Sequence, residues 1–183
     1  IGNVNMIVGS GGVLSHAPRR AQAALIMVNA FLPRGVTYLA VDSIFMMPHL
    51  GVLSQIDPKT AVHVLEKDCF IPLGPVIALE GNVAPGTPVV DVEVVDSRGN
   101  RETLTVEGGE MQVVQPRNPG EVRVTAKTRG GASIGGEKQV SFKADAGQVG
   151  VIIDARGRPL IRPDDPAASA AQNARWASSI GAY

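Results

Sequence analysis

The stretch MIVGSGGVLSHAPRRAQAAL, residues 6–25, decides how the first part of this chain is read. Met6, Ile7 and Val8 are apolar and run straight into Gly9-Ser10-Gly11-Gly12, after which a helical pattern begins. A strand that ends in glycines and turns into a helix exposes backbone with no Cβ in the way. It also aims the free N–H groups of the helix start at whatever lies there, which suits a phosphate or the polar edge of a nucleotide. The stretch is not a Walker loop, because no Gly-Lys-Ser/Thr follows, and the third glycine of the dinucleotide fingerprint is missing. The same spacing serves equally well as a tight strand-to-helix turn.

Outward from this corner, Ala21, Ala24, Leu25, Val28 and Leu32 recur at threes and fours, which predicts a helix ended by Pro33 and Gly35. VTYLAVD, residues 36–42, is β-branched and apolar and reads as a buried strand. A second helix is expected over residues 43–55, bent or restarted at Pro48. Asp57-Pro58 reads as the N-cap and first position of a third, carrying Ala61, Val62 and Leu65. Strand, helix, strand, helix, helix is an α/β unit with a small parallel sheet, assigned to residues 1–73.

Near Leu73-Gly74-Pro75 the period drops to two. Val90, Val92 and Val94 share one face of TPVVDVEVVD, with Asp91 and Glu93 on the other. DSRGN then makes a turn. RETLTVEG, EVRVTAKT and KQVSFKAD alternate in the same way, and QVGVIIDA is apolar on both faces, as a central strand would be. The expectation for residues 74–163 is an all-β barrel or sandwich of about six or seven strands. In residues 164–183, Asp165 and Pro166 open an alanine-rich helix that Trp176 would anchor; a frayed tail is the alternative.

The 183 residues hold 17 Lys plus Arg against 17 Asp plus Glu, so no net field draws in nucleic acid or an anionic membrane. One cysteine, Cys69, rules out an internal disulfide and fits a reducing, cytoplasmic setting. No apolar run reaches the length of a membrane span. Residues 1–8 lack the basic n-region of a secretory leader. The chain starts without Met, inside a strand, so a piece of a longer protein is expected.

Asp154-Ala155-Arg156-Gly157-Arg158-Pro159 sets two guanidiniums and a carboxylate around a glycine turn. Arg156 and Arg158 are thus candidates for contact with an anion or a partner protein; a turn with arginines packed on neighbouring strands is the alternative. Glu107 and Glu110 are expected to flank a hairpin turn, and TRGGASIGGE, residues 128–137, to form a flexible loop. His16, His49 and His63 lack metal-ligand spacing, so no metal site is expected. Lys138 lacks the flanking residues of a lipoyl or biotinyl hairpin.

MIVGSGGVLSH resembles the adenosine motif of the actin, sugar-kinase and heat-shock ATPase superfamily. Taken with LGVLSQIDPKTAV, VEGGEMQVV and GQVGVIIDARGRPL, the chain resembles the C-terminal part of the glutamate mutase L family (MutL or GlmL), which is unrelated to the mismatch-repair protein of that name. The resemblance runs from about Met6 to Trp176. It implies a cytoplasmic, ATP-dependent activator or reactivating chaperone of a cobalamin-dependent mutase, built on an actin-like ATPase domain. Gly9, Ser10, Gly11 and Gly12 match its adenosine-binding turn; His16 follows that turn, and Gly51 would permit close packing nearby. ATP with Mg would be the cofactor of the full-length protein, and the mutase its partner, with a homodimer open. The two phosphate motifs with their acidic residues are expected upstream of Ile1, so this chain alone should hydrolyse nothing. The rival expectations are a non-catalytic binding or scaffold module, and a hydantoinase- or carboxylase-like subunit of the same superfamily.

Overall fold

The computed structural model describes residues 4–183. Strand β1, Met6–Gly9, leads through helices α1, Gly12–Ser15, and α2, Arg20–Phe31, to β2, Gly35–Asp42. Helices α3, Met47–Leu53, and α4, Pro58–Val64, follow, then a π-helical turn, Leu65–Cys69. The rest is mostly strand: β3, Phe70–Ala78; β4, Pro88–Asp96; β5, Arg101–Glu107; β6, Met111–Val114; β7, Glu121–Thr128; β8, Gln139–Asp145; and β9, Val151–Asp154. Helix α5, Pro166–Ser179, closes the chain.

The helix signals act where expected. Pro48 lies in the first turn of α3, and the Asp57 side chain caps α4 by accepting from the Thr60 amide. The Asp165 carboxylate caps α5 by accepting from the Ala168 amide, with Pro166 at the first position. The predicted helix after the glycines breaks in two at His16-Ala17-Pro18. Proline disfavours helical backbone in the residue before it, and this one separates α1 from α2.

Among the described residues no closed barrel forms. The strands after Gly74 divide between two sheets, one ordered β5-β4-β7-β8 and the other β1-β2-β3-β9-β6. β1 and β2 are parallel, β2 and β3 antiparallel, β3 and β9 parallel, and β9 and β6 antiparallel. β3 spans the change of composition at Leu73-Gly74-Pro75, so residues from both sides of it build one sheet.

The period of two explains this layering. In β3, Val76 and Ala78 pack toward α2 and α5, while Ile77, with Leu79 just past the strand, packs toward the four-stranded sheet. In β9, Ile152 faces the helices, and Val151 and Ile153 face the other sheet. A strand apolar on both faces needs cover on both, and the middle of a helix–sheet–sheet stack supplies it. β3 also needs glycine at one place. Gly74 has φ +126, and a Cβ there would stand 2.1 Å from the Gly150 carbonyl oxygen.

Two turns differ from expectation. The Glu107–Glu110 turn carries the chain from one sheet to the other instead of closing a hairpin. The 128–137 segment is pinned: Ala132 and Ile134 are buried, Ser133 pairs with Glu80, and Lys138 Nζ donates to the carbonyls of Gly130 and Ala132. Apolar residues at the tip of that connection give it a core to bury into.

Candidate functional site

The predicted corner lies where β1 and β2 end side by side, at the carboxyl edge of two parallel strands, the usual place for a ligand in α/β sheets. Its four residues do different work. Gly9 is buried, and a Cβ on it would meet Leu14 and Met27 at 2.8 Å, so this glycine serves packing. Gly11 has φ +99, a conformation that L side chains rarely adopt, and makes the turn. A Cβ on Gly11 or Gly12 would meet nothing within 4 Å. Ser10 and Gly12 are exposed. The backbone over residues 10–12 is therefore open to approach.

Sequence reasoning missed the residue that holds this corner. Asp42, at the end of β2, is fully buried. Its carboxylate accepts from Ser10 Oγ at 3.1 Å and from the amides of Met46 and Met47 at 3.0 and 2.8 Å. Its own carbonyl accepts from Ser15 Oγ. Burial pushes the Asp42 carboxyl up, but the amides of Met47, Met46 and Ile44 and the Ser10 hydroxyl outweigh it and hold the group below the ordinary carboxylate range. One side chain thus ties the glycine turn, α1 and the start of α3 together. A buried acidic residue closing an apolar strand was the available signal.

His16 caps the end of α1 and is exposed, as are His49 and His63. Gly51 lies on α3 with open space beyond it, so it permits no close packing there. Cys69 is a free, buried thiol, which burial and the charges of Asp42 and Asp68 push up. Among the described residues no cluster of three or more His, Cys, Asp or Glu could hold a metal. No helix among them is long and apolar enough to cross a membrane.

The second candidate stretch is turned inward. Asp154 is fully buried at the end of β9. Arg156 grips it with Nε and Nη2, each at 2.8 Å, and gives Nη1 to Asn29 Oδ1. Arg158 gives Nη2 to Asp154 at 2.6 Å, Nε to the Pro33 carbonyl and Nη1 to the Gly157 carbonyl. The Trp176 ring lies 4.6 Å from the Arg156 guanidinium, and its indole N–H donates to the Gly109 carbonyl. Burial would raise the Asp154 carboxyl, but the hydrogen bonds and charges of Arg156 and Arg158 keep it low. This group bolts α2, β9, the β5–β6 turn and α5 together. Beside it opens a cleft of about 960 Å³.

The fold is thus an α/β sheet backed by a second, antiparallel sheet, with its glycine corner at the carboxyl ends of two parallel strands. Residues 1–69 match the family whose model is described as MutL protein. The match ends at Cys69, the last residue before β3. Comparison with curated proteins and with solved structures gives no match.

Proposed function

We propose that this chain is the nucleotide-facing part of an ATP-dependent activator that serves a cobalamin-dependent mutase. The family match over residues 1–69 favours a role beside such a mutase. The observation that carries the nucleotide reading is the open backbone at Ser10-Gly11-Gly12, at the ends of β1 and β2. The adenosine of ATP fits such a surface, because a flat base needs backbone with no Cβ above it. The described residues offer no carboxylate cluster for the Mg ion, so phosphate and metal chemistry would fall to other residues. In this reading Asp42 fixes Ser10 and carries any movement of the turn to α3 through the Met46 and Met47 amides. The bound nucleotide would supply hydrolysis energy; this chain's residues bind and position.

One observation favours the rival reading as a scaffold module: Gly9 is explained by packing against Leu14 and Met27 alone. A reactivation assay separates the two. Inactivated cobalamin mutase is incubated with the protein, ATP and fresh cofactor. Recovery of activity that requires ATP, and that Gly12→Val abolishes, is the expected outcome. Gly12 is the residue to change because its side-chain space is open and a valine there costs the fold little. Equal recovery without ATP, or with Gly12→Val, contradicts the nucleotide role.

A further inference from the structure

Arg156 and Arg158 share one carboxylate, so the buried group they form with Asp154 has two positive charges against one negative. Their other partners, Asn29 Oδ1 and the carbonyls of Pro33 and Gly157, are neutral. The excess charge lies in the wall of the 960 Å³ cleft between the Gly81–Gly86 connection, the β5–β6 turn, the 157–163 segment and α5. That size suits a small organic molecule. Arg162 and Arg175, both exposed, line the cleft, as do Glu107 and Glu110. Arg175 lies 3.7 Å from Glu110, a loose contact with the arginine side chain 64% exposed. Val83, Pro85, Leu160 and Trp176 supply apolar wall. Gln172 also lines the cleft, and its enclosed Oε1 has no donor among the described residues.

We propose that this cleft binds an organic anion, a carboxylate or a phosphate carried on an apolar body. The buried guanidiniums do not touch the ligand, because their side chains are 0% and 3% exposed and are held inward on Asp154, Asn29 and backbone carbonyls. They set a positive potential in a wall of low dielectric, where charge acts farther than in water. Arg162 and Arg175 supply the direct, charge-assisted hydrogen bonds. The apolar body lies against Val83, Pro85 and Leu160, beside the buried Trp176. The site is independent of the glycine corner.

Trp176 is the chain's one tryptophan, which makes it a built-in reporter. Its fluorescence and its indole N–H resonance are followed while phenyl phosphate, benzoate, inorganic phosphate and the neutral benzyl alcohol are added in turn. The expected result is a saturable response to phenyl phosphate or benzoate and none to benzyl alcohol. Whichever of the two anions binds more tightly names the head group, and weaker binding of inorganic phosphate shows that the apolar body contributes. Arg162→Ala combined with Arg175→Ala, both on exposed side chains, should weaken binding about tenfold or more. Glu107→Gln should tighten it. No saturable response to either anion, an equal response to the alcohol, or unchanged affinity in the double variant overturns the proposal.

Discussion

Asp154, Asp42 and Asp96 show how single carboxylates hold this molecule. Asp96 receives the Asn100 side chain, the Asn118 side chain and the amides of Asn100 and Arg98, which hold it far below the usual range and fix the β4–β5 turn. All three groups are depressed in the folded state. The stability each lends is therefore present above the unfolded carboxyl pKa, near 4, and is lost as pH falls through that value toward the folded one. Urea midpoints should be flat from about pH 8 to 5 and drop below about pH 4. At neutral pH, Asp154→Asn leaves two buried guanidiniums without their counter-charge and should cost about 3–5 kcal/mol in urea unfolding. The same variant should show a shallower loss below pH 4, because the wild-type group is part of that loss.

Among the elements, α5 depends on few contacts. Residues 166–175 of the helix lie largely at the surface, while Trp176, Ala177, Ile180 and Ala182 are buried against α2 and the sheet. Trp176→Ala removes the ring under Arg156 and the indole bond to Gly109, and should cost about 3–5 kcal/mol in thermal or urea unfolding. A change under 1 kcal/mol would mean that α5 is not anchored there. The cap at Asp165 was readable because it depends on neighbours in sequence; the large apolar ring of Trp176 announced an anchor, but its partners Arg156 and Gly109 are distant in the chain. Also readable were β4, β5, β7 and β8, whose alternation matches their buried faces, and β2, whose apolar, β-branched run matches its burial. β3 was not readable as a strand: Pro72, Gly74 and Pro75 are turn residues in isolation. They are tolerated here because Gly74 lets the Gly150 backbone approach and the register shifts between Leu39 and Ala40. Nor could β9's place be read, since its partner β3 is distant in the chain. Its apolar character on both faces told its burial and not its neighbour. At the candidate site, the glycines were visible and Asp42 was not, because its role depends on bonds to Ser10, Met46 and Met47 formed only in the fold.

For the whole molecule, the family match and the open corner meet in the same segment, residues 1–69. The helix–sheet–sheet stack supports that corner from behind: Gly9 packs on α2, and Asp42 locks the ends of β1 and β2. The central claim is that this backbone lies against a purine nucleotide. The most direct test is a titration of ATP and ADP into isotopically labelled protein, followed through its amide resonances. The account predicts saturable shifts at Ser10, Gly11, Gly12 and Val13, passed through Asp42 to Met46 and Met47, and their loss in Gly12→Val. Resonances there that stay still at millimolar nucleotide, or shifts that Gly12→Val leaves untouched, would contradict it.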